Sequence, residues 1–379
     1  MSWPIAGVGA VASVGGDTGA VFEALCAGRS GLAPLRAFDG AHYQAANAYE
    51  IDDRPASGDV PLRATAWLIR AVEEALRDAG LDDDLTSVPI LVGTGLRELR
   101  SAELSWRDGA EFDLERLHFG TALRERFGAT RTYTVANACS ASLYTLGMAT
   151  DLLAAGEADT VVVAGVDTLT ESMYGLLDAV QRDPPESVRP FDRTRRGTLI
   201  GDGAVAVVLR AEDAGPAAGG RGLLRAVSMN CDAAHVTAPD APSITESIHA
   251  AHRDAGVGAR DIDLVLLHGT GTPLNDEAEV TAMSQAFGAD VGAPLMTAIK
   301  CMTGHTSGGS GLLSLVVALR ALESGRIPPI TGLTDPLESA AGFRFVREPA
   351  TGADLRIAQV NAFGFGGVNA VAVVEGVSR

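Results

Sequence analysis

Apolar residues fall along the chain in two alternating rhythms. Short runs apolar on both faces occur at Val88–Val92, Thr160–Ala164, Ala204–Leu209, Leu264–Leu267, Ile357–Val360 and Ala370–Val374. They read as strands of a sheet covered on both sides. Between them, three- and four-residue spacing predicts helices over Leu62–Ala79, Ser140–Ala155, Thr245–Ala255, Asp276–Phe287 and Gly311–Ser324. Such alternation is that of a layered α/β fold.

A long-range echo refines this picture. The pentapeptide AVAVV at Ala204–Val208 returns at Ala370–Val374, an offset of 166 residues, and the same offset carries Cys139 onto His305. Each of these two residues precedes a helix rich in small residues and leucine, and the helices run into glycines at Gly156 and Gly325. A second match, GTG at Gly93–Gly95 and Gly269–Gly271, is offset by 176, so insertions separate the copies. The pattern implies two similar halves, 1–214 and 215–379, meeting near the Gly- and Ala-rich segment Gly215–Gly222 as one compact unit. Facing helix starts would bring Cys139 and His305 together.

Of the 379 residues, 46% are hydrophobic and 21% charged, which excludes disorder as the main state. The 30 basic against 48 acidic residues give a net charge of −18, opposite to what a nucleic-acid partner requires. Apolar stretches such as Thr160–Val166 and Leu312–Leu319 are far shorter than the ~20 residues of a membrane span, and no signal-like segment opens the chain. A cytoplasmic protein is expected. Cys26, Cys139, Cys231 and Cys301 are scattered without a CxxC pair, so reduced thiols are expected and a structural zinc site is not.

In VANACSAS, Cys139 follows a β-rich approach and opens a helix, where free N–H groups and the positive end of the dipole should lower its pKa and favour a nucleophile. His268 ends the apolar run of DLVLLHGTGTPLND, at a sheet edge where α/β ligands bind. Thr270 and Thr272 present hydroxyls beside it, and Asn275 and Asp276 are read as caps of the next helix. His305 lies in KCMTGHTSGGSG, five residues beyond Lys300. Two imidazoles and an ammonium around one thiol can stabilise an oxyanion or enolate. His249 and His252 lack a third ligand and are read as surface or packing residues. In NAFGFGGVN, glycines around Phe363 and Phe365 let a backbone amide point into a pocket walled by an aromatic ring.

Taken in order, GVGAVASVG with GRSGL, NACSAS, RPFDRTRRGTLIGDGA, HGTGTPLND, KCMTGH and NAFGFGGVN resemble the β-ketoacyl-acyl carrier protein synthases, and the resemblance spans essentially the whole chain. It implies the thiolase fold, two α/β halves in five layers, α-β-α-β-α, as a homodimer or a heterodimer with a related subunit. It implies decarboxylative Claisen condensation of an acyl thioester with malonyl-acyl carrier protein. By resemblance, Cys139 is the nucleophile, and His268 and His305 promote malonyl decarboxylation and hold the enolate. Lys300 supports them electrostatically. The amides of Cys139 and Phe365 form the oxyanion hole, and Thr270, Thr272, Phe363 and Phe365 contact substrate. No enzyme-bound cofactor and no metal are implied, because the phosphopantetheine arrives on the carrier protein.

The chain departs from the family's pattern at three places. Asn137 and Val368 stand where threonine is usual, and Ser314 stands where many fatty-acid synthases of this class place a glutamate partner for the lysine. The last of these shifts the expectation from fatty-acid elongation towards polyketide or secondary-metabolite synthesis. No cysteine follows Cys301, against a thiolase, and Cys139 argues against an auxiliary chain-length-factor subunit. A cysteine hydrolase would not need the whole pattern. The alternatives are a ketosynthase-like acyltransferase forming an ester or amide, or an auxiliary subunit of a ketosynthase heterodimer. An acidic carrier needs a basic entrance on this acidic chain, for which Arg63, Arg70, Arg195 and Arg196 are the candidates.

Overall fold

The computed structural model describes residues 2–181, 183–212 and 220–377. Among the described residues, ten strands of an eleven-stranded sheet form two blocks, and the eleventh, the two-residue Arg344–Phe345, extends the outer edge of the second. The first holds β1 (Trp3–Ala12), β2 (Ile90–Thr94), β3 (Thr132–Ala136), β4 (Thr160–Asp167) and β5 (Gly203–Arg210). The second holds β6 (Gly222–Cys231), β7 (Leu264–Leu266), β8 (Leu295–Thr297), β9 (Ile357–Gly364) and β10 (Val368–Glu375).

Across the first block the order is β3-β2-β4-β5-β1, and across the second it is β8-β7-β9-β10-β6, the same permutation shifted by five. The directions repeat as well. β2 runs parallel to β3 and β4, while β5 is antiparallel to β4 and β1. β7 runs parallel to β8 and β9, while β10 is antiparallel to β9 and β6. The sequence echoes fall on matching elements, AVAVV on β5 and β10, and GTG at the ends of β2 and β7. A short antiparallel contact of Trp3–Ile5 with Gly222–Leu224 joins the blocks edge to edge. The boundary expected after residue 214 lies outside the described residues.

Five helices place the layers: α1 (Arg63–Asp78), α2 (Ala141–Ala154), α3 (Ala241–Ala255), α4 (Pro273–Phe287) and α5 (Ser310–Ser324). α1 turns Trp67, Leu68, Ala71, Val72, Ala75 and Leu76 onto the outer face of the first block. α3 covers the second block and packs against α4. α2 and α5 touch each other and strands of both blocks, which makes them the middle layer. Their composition follows from that position. α5 is buried almost all round, from Ser310 through Leu319, so an outward polar face would have no water to meet. Both helices end at a left-handed glycine, Gly156 with φ +68° and Gly325 with φ +67°.

β1, β6 and β8 have no counterpart among the strands read from the sequence, and β3 is read there only as the β-rich approach to Cys139. In β1 the glycines serve close packing against α1. A Cβ on Gly7 would lie 2.3 Å from the Ala75 carbonyl oxygen, and one on Gly9 would lie 2.1 Å from that of Ala71. Among the described residues, no helix is long and apolar enough to cross a membrane.

Candidate active site

The parallel strands of both blocks end at the seam between them, and the chemistry gathers there. β3 delivers the chain to Asn137, whose amide donates to the Thr94 carbonyl at 3.3 Å. Ala138 then takes φ +49°, a left-handed conformation costly for a side-chain-bearing residue, and the short turn Ala138–Ser140 presents Cys139 at the head of α2. The turn is anchored from the second half. The Ser140 hydroxyl donates to the Val368 carbonyl at 3.0 Å, and the Ser310 hydroxyl donates to the Cys139 carbonyl at 3.3 Å.

His268 stands just beyond β7. Its own amide and that of Gly269 donate to the two carboxylate oxygens of Glu279, at 2.7 and 2.9 Å, which fixes the backbone that carries the ring. The Lys300 ammonium donates to the His268 carbonyl at 2.5 Å and lies 3.5 Å from its Nδ1. A donor on that side leaves Nδ1 as the acceptor and the N–H on Nε2. His305 follows Gly304, at φ +67°, and its backbone is held by the Leu199 carbonyl at 2.9 Å and the Gly201 amide at 3.1 Å. Both of its ring nitrogens are buried and, among the described residues, without a hydrogen-bond partner. The two imidazoles meet edge to face at 5.5 Å, and the Phe363 ring lies 5.6 Å from His268.

One ring nitrogen from each histidine and the Cys139 Sγ all lie within 4.8 Å of one another. Three such atoms resemble a metal-ligand set, but the Lys300 ammonium beside His268 would repel a dication at that point.

Burial governs the protonation states. It pushes the Cys139 thiol up to about 11, against the pull of Lys300 and of the Phe365 amide, and Asp167 adds to the rise. The lowered thiol pKa expected from a helix start is therefore corrected: loss of hydration outweighs the end of α2. Burial holds both His268 and His305 well below the ordinary imidazole range, with Lys300 pressing the same way, so both rings are neutral. Burial also lowers Lys300 to about 8, with Glu279 pulling it back up.

The Phe365 amide faces the Cys139 sulfur, as does the amide of Cys139 itself, while the Phe365 ring is 46% exposed. Thr270 and Thr272 join hydroxyls at 2.9 Å. Thr272, rather than Asn275 or Asp276, caps α4 by accepting from the Asn275 amide at 3.4 Å. Asp276 instead accepts from the amides of Phe191 at 2.8 Å and Gly271 at 3.2 Å, because it is fully buried beneath the loop. His252 is a packing residue, 2.7 Å from Gln359 and edge-on to Phe287.

Two of the expected docking arginines are corrected. Arg63 is buried and paired with Asp53 at 2.6 Å and Asp59 at 3.1 Å. The Arg195 side chain is only 7% exposed and braces Glu277 and the Pro273 carbonyl. Both guanidiniums are buried and already paired within the chain. Arg70 is exposed, with one contact to the Gly16 carbonyl at 3.0 Å, and Arg196 is exposed beside Asp183 at 3.0 Å.

Sequence reading missed two buried carboxylates. Glu279, on α4, fastens the His268 loop, and the Asn361 amide group also donates to it at 3.0 Å. Asp167 closes β4 and accepts hydrogen bonds from both halves. The only sequence signal for either was an acidic residue directly after an apolar run or on an apolar helix face.

The family models for the β-ketoacyl synthase N-terminal and C-terminal domains match residues 4–214 and 221–334. The chain is 26% identical over 412 residues to a 3-oxoacyl-[acyl-carrier-protein] synthase 2 of Coxiella burnetii, covering 98% of each chain. It is 28% identical over 412 residues to the granaticin polyketide putative beta-ketoacyl synthase 1 of Streptomyces violaceoruber, covering 98% of this chain and 97% of that one. Among solved structures, the ishigamide ketosynthase/chain length factor superposes with a TM-score of 0.89 at 30% identity, covering 100% of this chain and 99% of that one.

Proposed function

Because the chain belongs to the β-ketoacyl synthase family, we propose that Cys139, His268 and His305 carry out its decarboxylative condensation, with Lys300, Phe365, Thr270, Thr272 and Phe363 in supporting roles. The protein is a β-ketoacyl synthase of fatty-acid or polyketide biosynthesis. The observation that carries the assignment of residues is the convergence of one sulfur and two neutral imidazoles within 4.8 Å, drawn from both halves.

The Cys139 sulfur adds to the carbonyl of a carrier-bound acyl thioester, and the oxygen that gains charge accepts from the amides of Cys139 and Phe365. The carbon–sulfur bond to pantetheine breaks, and the proton lost by the Cys139 thiol ends on the departing sulfur. A malonyl thioester then loses CO₂, and its enolate oxygen accepts from the N–H groups of His268 and His305. Neutral rings suit this task because they donate hydrogen bonds without surrendering a proton to the enolate carbon. That carbon attacks the acyl group on Cys139, the sulfur leaves as thiolate, and solvent returns its proton. Lys300, donating towards His268 Nδ1, keeps the ring N–H on Nε2, free to donate to the enolate.

Ser314, where many fatty-acid synthases of this class place a glutamate, supports a polyketide or secondary-metabolite product over housekeeping fatty acids. The proposed partners are an acyl carrier protein, which supplies the phosphopantetheine arm, and a second ketosynthase subunit, identical or related. Arg70 and Arg196 are the remaining docking candidates. The cytoplasm is the proposed compartment, in keeping with four free thiols.

Intact-protein mass spectrometry after exposure to acylated carriers tests the first step: a mass gain is expected, and it should vanish in Cys139→Ala. Adding malonyl carrier protein should then release CO₂ and lengthen the acyl chain by two carbons. Acyl transfer to an alcohol or amine without CO₂ would replace condensation by ester or amide formation.

A further inference from the structure

We infer that Asp167 is a positioning residue for the proposed condensation: its carboxylate locks the turn after His305 against the segment carrying Cys139 and sets a negative charge near that thiol. The inference rests on the reading above for the reaction, but not for the geometry.

Asp167 is completely buried at the end of β4. From the first half it accepts the Thr94 hydroxyl at 2.7 Å and the amides of Gly95 and Leu96 at 2.8 and 2.7 Å. From the second half it accepts the Gly308 amide at 2.6 Å. Among the described residues no cation pairs with it, so its charge is balanced by hydrogen-bond donors alone. Both segments it joins reach the reacting groups. The Thr94 carbonyl holds the Asn137 amide two residues before Cys139, and Gly308 lies three residues after His305 in a turn that packs on Ala138–Ser140. The segments touch backbone to backbone, since a Cβ on Gly308 would lie 2.5 Å from the Thr94 carbonyl carbon. His305, whose ring nitrogens have no hydrogen-bond partner among the described residues, depends on this backbone for its place, and Ser307 pays for the tight turn with φ +42°.

The electrostatics agree with the geometry. Burial pushes Asp167 up to about 6 against its four donors, and its charge helps hold Cys139 in the thiol form. The other titratable groups at the sulfur are Lys300, which pulls the opposite way, and the neutral His268 and His305.

Asp167→Asn removes the charge and turns an amide N–H towards donors. Alkylation of Cys139 by iodoacetamide should then speed up severalfold at pH 7.5, with its pH profile moved to lower pH, while acyl turnover falls at least tenfold. Alkylation needs no acyl substrate, so this arm stands even if the reaction proves to be other than condensation. A profile that stays or moves to higher pH overturns the inference, as does a shifted profile with undiminished turnover. Should Asp167→Asn fail to fold, Thr94→Val decides: deleting one donor should cost more turnover at pH 6 than at pH 7.5, and an equal loss at both overturns the inference.

Discussion

The turn from β3 into α2 and the one from β8 into α5 occupy equivalent places in the two blocks, yet they carry different chemistry. The first is a single strained turn holding one thiol between backbone amides. The second interposes the short helix Lys300–Thr303 before His305 and sits beside the His268 loop. The carboxylates that brace the two sides differ in the same way: Glu279 is faced by Lys300, whereas Asp167 is held, among the described residues, by neutral donors only. A duplicated scaffold thus supplies two opposed helix starts, one reading as the electrophile's side and the other as the enolate's.

That division makes its sharpest prediction in single variants. Cys139→Ala should abolish acylation and condensation together. His268→Ala and His305→Ala should still accept an acyl group on Cys139 within about tenfold of the native rate, yet lose condensation by roughly 10²–10⁴. Mass spectrometry reads the first step and CO₂ release the second. Histidine variants that fail to acylate as completely as Cys139→Ala would erase the distinction between the two sides.

Next in size is Glu279→Gln. Its amide keeps one acceptor for the His268 and Gly269 amides and offers them an N–H in place of the other, which should cost about 1–3 kcal/mol of stability and lower condensation at least tenfold. Because Glu279 raises the Lys300 pKa, the variant should also move the alkaline fall in activity to lower pH. An unmoved alkaline limb would show that Glu279 braces the loop without tuning the lysine.

Residues where strand, turn and helix periods change were legible in the sequence: Cys139 and His305 ahead of a helix, and His268 at the end of an apolar run. The duplication was legible for the same reason, through strands β5 and β10. The carboxylates were not. An acidic residue at a strand end, such as Asp167, reads as a solvated terminus until the glycine loops that donate to it are folded over it. Nor were the arginines. Arg63 is neutralised by Asp53 and Asp59, and Arg195 by Glu277, pairings that helix spacing alone did not reveal. The Cys139 pKa was misjudged because a helix start is local and visible in sequence, whereas burial between two blocks is not.

Lys300 allows a milder test of the same contrast. With a value near 8, it is an ammonium at neutral pH and loses its charge as pH rises through that point. Condensation should therefore decline severalfold between about pH 7.5 and 9, while acylation of Cys139, whose thiol titrates near 11, should not decline over that window. Lys300→Met should be slower at neutral pH and lack the decline. A falling limb that survives in Lys300→Met would assign it to another group.

The smallest effects belong to the neighbouring arginines, where one position separates a brace from a surface charge. Arg195 lies against the first turns of α4, donating to the Pro273 carbonyl at 3.3 Å and to Glu277 at 3.1 Å, so Arg195→Met removes internal contacts and should lower Tm by about 2 °C, with the KM for a carrier substrate unchanged. Arg196 is solvent-exposed, and its contact with Asp183 is a surface pair worth little to stability. Arg196→Glu should leave Tm in place and raise the KM for an acidic carrier by a few fold, with kcat unaltered and less sensitivity to salt, because charge at a docking rim acts on encounter. If the KM does not move, the carrier approaches elsewhere, and Arg70→Glu is then the variant in which the same signature should be sought.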